Sequence, residues 1–321
     1  MIIGTQHGPA LPDYLSAMPD KLTLYATDTY FRESWEDLDH LTQSNPSEIL
    51  HGLAMMVLKP DAVVTRAIRP TFDWLYKQGF SIVTARTFAF NRHITRSIWC
   101  YSWNVATRER KDVVDMMLAP GDALLVLLRG PEGETTPATR LLSETKGPAN
   151  PARRTPGQLR YELGTLNTLL NYLHTADEPA DLVRELGVYF PAAEREAIYR
   201  EALAPPPDAR ARAEALANGL EAETPAEKLT RDAVLERVLA RLNAHEDSDS
   251  ELGVELRTEL NRIAIGDSRD WRRTLQLIEE LDLDCSPWDL IGIGTHLVQM
   301  DTPTGELLIA SVSAPGVREH S

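Results

Sequence analysis

Three short, largely apolar runs separated by stretches of helical periodicity constrain this chain more than any other feature. Leu53-Ala-Met-Met-Val-Leu58, Phe80-Ser-Ile-Val-Thr84 and Ala123-Leu-Leu-Val-Leu-Leu128 have the length of strands and are too short for packed helices. The first, which is continuous and without polar alternation, suits a strand covered on both faces, and the third reads as a buried strand as well. Between the first two, Ile68, Phe72, Leu75 and Tyr76 recur at helical spacing, and Gly79 follows them where a left-handed helix C′ residue belongs. Between the second and third, Thr95 to Leu118 reads as helical, with Trp99 and Trp103 four apart on one face. The order β-α-β-α-β predicts an α+β layer in which helices pack on a sheet.

The flanking sequence is less regular. In the first fifty residues, turn formers surround Leu22-Thr-Leu-Tyr-Ala-Thr-Asp-Thr-Tyr-Phe31, whose partial alternation predicts a strand. Residues 143–160 are rich in Gly, Pro and basic side chains, and a loop that long inside a compact domain usually carries function or is disordered. A helix is expected from Asp177 or Glu178, with Pro179 in its first turn and Leu182, Val183 and Leu186 on its apolar face. Pro205-Pro206-Pro207 cannot continue a helix and predicts an extended spacer. The chain is thus divided into an extension at 1–52, a main domain at 53–203, a linker at 204–222 and a C-terminal region at 223–321. Helices are expected there from Thr224 through Leu242, Leu252 to Ile263 and Trp271 to Leu281. Leu290–Val298 and Leu307–Val312, around Thr302-Pro-Thr-Gly-Glu, predict a terminal β-hairpin.

With 321 residues, 43% of them hydrophobic and 25% charged, the chain is long enough for two globular domains. Its 33 Lys and Arg against 48 Asp and Glu give a formal charge of -15, a field that repels nucleic acid and anionic membrane, so neither is an expected partner. An anionic substrate therefore needs a local cationic pocket. Cys100 and Cys285 are the two cysteines, and no run of about 18 apolar residues is present to span a bilayer, so a reduced cytoplasmic location is the expectation. The eight histidines are scattered without metal-ligand spacing, and zinc is not expected. Gly-x-x-x-x-Gly-Lys-Ser/Thr does not occur, and Gly292-Ile-Gly294 lacks a third glycine, so a P-loop or dinucleotide site is not expected either.

Phosphate chemistry needs positive charge from several directions and a nucleophile held in line with the leaving oxygen. Lys59 directly follows an apolar run; Arg140 and Lys146 flank the long loop; Arg153, Arg154 and Arg160 lie in it; and His174 precedes a helix start. An imidazole is neutral for much of the population near pH 7, so one nitrogen can attack phosphorus while the other keeps its proton. That second nitrogen wants an acceptor, and Glu185 on the following helix is the candidate. Each of these residues alone has an ordinary explanation, a solvated charge or a structural histidine.

In combination they resemble the nucleoside diphosphate kinase family. Four blocks in family order carry the resemblance, from about Leu53 to about Leu203: Met56-Val-Leu-Lys-Pro-Asp61, Gly79-Phe80, Asn150-Pro-Ala152 with Pro156-Gly157 and Arg160, and Asn171-Tyr-Leu-His174-Thr-Ala-Asp177. Tyr189-Phe190-Pro191 adds the family's aromatic-Phe-Pro. The resemblance implies a ferredoxin-like βαββαβ core and a ping-pong reaction. In it His174 takes the terminal phosphate of ATP or another nucleoside triphosphate and passes it to a diphosphate, with Mg2+ carried on the nucleotide phosphates. It further implies that Lys59, Arg140, Thr145, Arg160 and Asn171 contact phosphates or ribose, and that Glu185 orients His174. Family members form homo-oligomers, and the two extensions are expected to alter that assembly.

There are departures. The family's Gly-Ser after the histidine is Thr175-Ala176, and the loop before Asn150 is longer, so that the phosphate-binding threonine falls on Thr145 or at the position of Ala149. The base-stacking phenylalanine falls near Arg110, with Tyr101, Trp103 and Trp99 as the other rings at hand. These changes, with the acidic extensions, favour an alternative in which the fold is a weak or inactive nucleotide-binding module whose extensions bind a partner.

Overall fold

The computed structural model describes residues 11–43, 45–302 and 307–309. The N-terminal extension forms α1 (Pro19–Tyr25), α2 (Thr29–Leu41) and α3 (Ser47–Gly52). The strand expected at Leu22–Phe31 is therefore corrected to helix. α1 ends at Tyr25 with Ala26 as its C-cap, Asp28 caps α2 by accepting from the Phe31 amide, and Phe31, Ser34 and Leu38 then fall on one buried face. The local alternation arose because α1 and α2 meet at a turn in the middle of the segment.

The central domain follows as β1 (Leu53–Leu58), α4 (Pro60–Val64), α5 (Ile68–Lys77), β2 (Ser81–Ala89), α6 (Arg92–Ile98), α7 (Arg108–Leu118), β3 (Asp122–Arg129), α8 (Ala138–Lys146), α9 (Leu159–Glu162), β4 (Leu173–Thr175), α10 (Pro179–Tyr189) and α11 (Ala192–Leu203). The sheet has the order β2-β3-β1-β4, and every neighbouring pair is antiparallel. That is the order of a ferredoxin-like βαββαβ core, with an α6–α7 hairpin inserted between β2 and β3. The three apolar runs became β1, β2 and β3, and β1 and Ala123–Leu128 of β3 are buried throughout. One face of the sheet, carrying Met56, Leu58, Val126 and Leu173, packs on Phe72, Leu75, Leu142 and Leu159. The other, carrying Met55, Val57, Leu125 and Leu127, packs on Leu182, Val183, Leu186 and Ile198. Each fully buried aliphatic side chain contributes about 1.5–3 kcal/mol relative to exposure.

Beyond the core come α12 (Ala209–Glu223), α13 (Arg231–Ala244), α14 (Glu251–Ala264), α15 (Trp271–Glu280) and α16 (Pro287–Leu297). Pro205–Pro207 lie outside any helix, but the rest of the stretch assigned as linker forms α12, because the sequence after Pro207 is proline-free and Ala-rich and its Ala213 and Ala217 let the helix lie close on the sheet. The expected terminal hairpin is also corrected. Its first arm, 290–298, is almost wholly α16, which opens with a reciprocal Ser286–Asp289 capping box after which Pro287 sits at the first helical position. Its second arm lies outside the described residues from 310 onward.

Both extensions dock on the central domain. Arg184 of α10, buried, gives its Nε to Asp28 Oδ2 at 2.8 Å, and Lys21 Nζ lies 2.7 Å from Asp181 and 2.9 Å from Glu178. Ser34 and Tyr199 share a buried hydroxyl pair at 2.7 Å. Tyr199→Phe leaves the Ser34 hydroxyl without its partner and is expected to destabilise the full chain by about 1–2 kcal/mol, read as a lower denaturant midpoint at unchanged slope. At the other end, the Arg110 guanidinium pairs with Asp301, and the Thr302 amide donates to Val105 O at 2.9 Å. Gly294 of α16 is a close-approach position: a Cβ there would stand 3.2 Å from a Val113 methyl of α7. Among the described residues no helix is long and apolar enough to cross a membrane.

Candidate active site around His174

β4 is entered through a strained residue. Tyr172 has φ 67, the left-handed region that non-glycine residues adopt at a cost. It is held there from both sides: its amide donates to Asp61 Oδ2 at 3.0 Å, and its carbonyl accepts from the Lys59 amide at 2.9 Å. The Lys-Pro-Asp block at the end of β1 therefore builds the entry to β4. Asp61 is completely buried, and its Oδ1 has no partner.

Two residues on, His174 faces Val57 across the β1–β4 pairing. Its Nε2 stands 2.8 Å from Glu185 Oε2 on α10, and its side chain keeps 20% exposure. A carboxylate only accepts, so this contact places the proton on Nε2 and leaves the lone pair on Nδ1. The Trp99 ring stands edge-on to the imidazole at 5.7 Å between centroids, and Trp99 itself stacks on Trp103 at 4.7 Å. Arg96 and Arg110 both lie over the Trp103 ring, each at 5.6 Å. The aromatic pair seen in the sequence thus becomes one wall beside His174; its contact with the histidine had no signal beyond the i, i+4 spacing.

Lys59 and, from the long loop, Arg154 and Arg160 turn their charged heads onto main-chain carbonyls. Lys59 is buried, with Nζ donating to Leu169 O at 2.8 Å and standing 3.4 Å from Asp61. Burial lowers the pKa of its ammonium, against the opposing pull of Asp61. Arg160 donates from Nη1 to Gly147 O at 2.9 Å and from Nη2 to Leu173 O at 2.7 Å, and burial followed by the neighbouring Arg154 brings its guanidinium down to about 10. Arg160 Nε and Asn171 Oδ1 are enclosed without a partner, while Asn171 Nδ2 donates to Thr168 O at 2.7 Å. Arg154 ties the loop together through the carbonyls of Pro148, Ala149, Thr165 and Asn167. The Asn167 side chain in turn reaches Nδ1 of His296 on α16 at 3.3 Å, linking the C-terminal region to the loop.

Other expected site residues lie elsewhere. Thr145 returns its hydroxyl to Leu141 O at 2.7 Å inside α8, so that oxygen donates within its own helix. Arg153 is exposed on a turn at Pro151–Arg153. Arg140 opens on a separate cavity shared with the N-terminal extension. Lys146 is buried against the Thr175 hydroxyl and 2.9 Å from Asp177 Oδ1. Burial raises the Asp177 pKa, but Lys146 and the Ser143 hydroxyl outweigh it and hold the carboxyl well below its ordinary range. Burial also lowers the pKa of Lys146, against Asp177. This buried pair was not readable as such, since the two residues sit far apart in sequence on either side of the loop.

Glu185→Gln keeps the size of the side chain but replaces the carboxylate that fixes the imidazole tautomer. It is expected to lower kcat for any reaction at Nδ1 by about 10- to 100-fold with little change in KM, measured by steady-state kinetics across substrate concentrations.

Residues 53–195 match the family model described as nucleoside diphosphate kinase. Among curated relatives, the nucleoside diphosphate kinase of Legionella pneumophila (strain Paris) is 28% identical over 138 residues, which cover 43% of this chain and 92% of the relative. That of Roseiflexus castenholzii is 24% identical over 144 residues, covering 44% and 89%. Among solved structures, the Aquifex aeolicus nucleoside diphosphate kinase aligns with a TM-score of 0.37 and 20% identity, covering 44% of this chain and 97% of that one. The NDP kinase of Pyrobaculum aerophilum aligns with a TM-score of 0.37 and 17% identity over 44% and 96%. Residues 53–195 are accordingly a domain of the nucleoside diphosphate kinase family, a family of nucleotide phosphotransferases, set within a longer chain.

Proposed function

We propose that the domain transfers the terminal phosphate of a nucleoside triphosphate to a diphosphate through phospho-His174. The observation that carries this reading is the 2.8 Å contact between His174 Nε2 and Glu185, which leaves Nδ1 as the nucleophile. Nδ1 attacks the terminal phosphorus, and the bond from phosphorus to the bridging oxygen breaks. The electron pair leaves on the nucleoside diphosphate. In the second half-reaction the acceptor's terminal phosphate oxygen attacks the same phosphorus and the N–P bond breaks, its electrons returning to Nδ1. Glu185 keeps the proton on Nε2 throughout and stabilises the imidazolium character that develops on phosphorylation.

Lys59, Arg160 and Asn171 border the entry to β4 and form the phosphate set of this reading; Arg140 and Thr145, the other two residues the family resemblance implies, stand outside it, Thr145 bonded within its own helix and Arg140 on the separate cavity. The enclosed, unpaired Arg160 Nε and Asn171 Oδ1 fit a ligand that brings an oxyanion and a hydroxyl to the loop. Mg2+ belongs to this reading as a passenger on the nucleotide phosphates, where it shares their negative charge; among the described residues no cluster of His, Cys, Asp and Glu gathers to hold an ion of its own. Incubation with γ-labelled ATP followed by a panel of nucleoside diphosphates tests the proposal. Acid-labile label on the protein that moves to the diphosphates supports it, and a protein that stays unlabelled overturns it.

One observation favours a second reading, nucleotide binding without efficient transfer. The charged heads of Lys59 and Arg160 are bound to main-chain carbonyls of the loop, and α16 holds that loop through Asn167. Calorimetric ATP binding with no turnover would support this reading; turnover of about 1–100 per second would remove it.

A further inference from the structure

Away from the His174–Glu185 pair, a cavity of about 490 Å³ opens between the N-terminal extension and the first turns of α8 and α10. Asp13, Tyr14, Ser16, Ala17, Ser47, Glu48 and His51 on one wall lie outside residues 53–195, the stretch that matches the kinase family. The opposite wall is Thr135, Pro137, Arg140, Glu178 and Pro179. The volume lies within the range of small-molecule sites.

The groups on its two walls differ in whether their charge is spent. Glu178 is satisfied: it is buried, 2.9 Å from Lys21, and accepts from the Ser16 hydroxyl and from the Ala17 amide at 2.8 Å. His51 Nε2 stands 3.1 Å from Glu134 O, an acceptor, which puts the ring proton on that nitrogen. Arg140, by contrast, has an enclosed Nε without an acceptor and no protein partner among the described residues for its guanidinium. It sits in the first turn of α8, whose N-cap is Pro137 and supplies no side-chain cap, so the open amides of that turn add to the same positive end. Across the cavity, Asp13 and Glu48 are carboxylates that make no hydrogen bond or ion pair with other described residues. An unpaired guanidinium with a buried nitrogen is costly unless something accepts from it.

We propose that this cavity is a second small-molecule site, built by the N-terminal extension, for an oxyanion-headed ligand that also carries an amino group. The oxyanion, a phosphate or a carboxylate, takes the Arg140 fork and the α8 amides; the ammonium faces Asp13 and Glu48. The inference stands apart from the reaction proposed for His174, because the cavity on which Arg140 opens is lined by none of His174, Glu185, Lys59, Arg160 and Asn171. Charge at both ends gives specificity: a bare anion meets Arg140 but also the two carboxylates, whereas a zwitterion satisfies both walls.

The test is calorimetry on the full-length chain with three probes: inorganic phosphate, O-phosphoethanolamine and β-alanine. At least one zwitterion is expected to bind saturably and about tenfold or more tighter than inorganic phosphate, and which of the two does so separates a phosphate head from a carboxylate head. Arg140→Gln and Glu48→Gln are each expected to weaken that binding by tenfold or more, and His174→Ala to leave it unchanged. Ala17→Trp, which fills the cavity from an exposed position and leaves the guanidinium in place, is expected to abolish it, with circular dichroism showing the fold intact. The proposal is overturned if neither zwitterion binds saturably, if inorganic phosphate binds as well as they do, or if binding is lost in His174→Ala and kept in Arg140→Gln.

Discussion

His174→Ala is expected to leave the protein unlabelled by γ-labelled ATP and to cut phosphoryl transfer by about 10⁴-fold or more. Removing the nucleophile of a covalent mechanism forfeits the whole intermediate, and losses of that size are what such substitutions produce elsewhere. The residual rate would come from binding and charge alone. Nothing in the packing argues for a large folding cost: the side chain keeps 20% exposure, and among the described residues its polar contact is to Glu185. The alanine does leave the Glu185 carboxylate without its partner, so a thermal melt alongside the assay is needed to separate chemistry from stability. If label persists in the alanine variant, another residue carries the phosphate and the proposed role of His174 falls.

Asp177→Ala is expected to destabilise the chain by roughly 3–5 kcal/mol, enough to lower the denaturant midpoint sharply at an unchanged slope. The cause is the partner left behind. Lys146 is 7% exposed and touches the Thr175 hydroxyl and the Asp177 carboxylate; without the latter, a buried ammonium keeps one neutral hydrogen-bond partner, with the Glu185 carboxylate and the Arg160 guanidinium acting on it only from farther away. Lys146→Met in the same background is expected to restore part of the loss, since removing both charges is far cheaper than removing one. The same pair sets an acid limit. The folded-state pKa of Asp177 is depressed by Lys146 and Ser143 against the effect of burial, so its contribution is fully present above the unfolded value near 4 and is lost as pH falls below it. An acid titration of wild type and Asp177→Asn should show a steeper loss of stability below about pH 4 in the wild type. Equal slopes would mean the pair contributes nothing.

How much of this was legible from residues alone varies with distance along the chain. β1, β2 and β3 were marked by runs of apolar residues, and α10 by Glu178-Pro179 at its start, because strand burial and helix capping depend on neighbours in sequence. The segments Leu22–Phe31 and Leu290–Val298 are helical rather than extended although short stretches rich in apolar residues fit strand and helix alike: in the first, two amphipathic helices meet at a turn, and in the second, burial on most sides favours the helix. α12 was hidden by the prolines before it, although its alanines are what a helix lying close on a sheet needs.

The site divides along the same line. The local spacing of Asn171, His174 and Asp177, together with the Lys-Pro-Asp block, was determined by the sequence itself, and so was the placing of Glu185 on the helix after the histidine. Which nitrogen Glu185 engages, that Trp99 walls the imidazole, that Lys146 belongs to Asp177, and that Arg140 opens on a cavity walled by the N-terminal extension were decided only by the tertiary structure. Capping, turns and strand burial are interactions within a few residues, which a linear pattern records. Charge pairing and cavity walls join residues brought together from across the chain, as Ser16 and Glu178 are, and their energies depend on burial that exists only once the chain is packed.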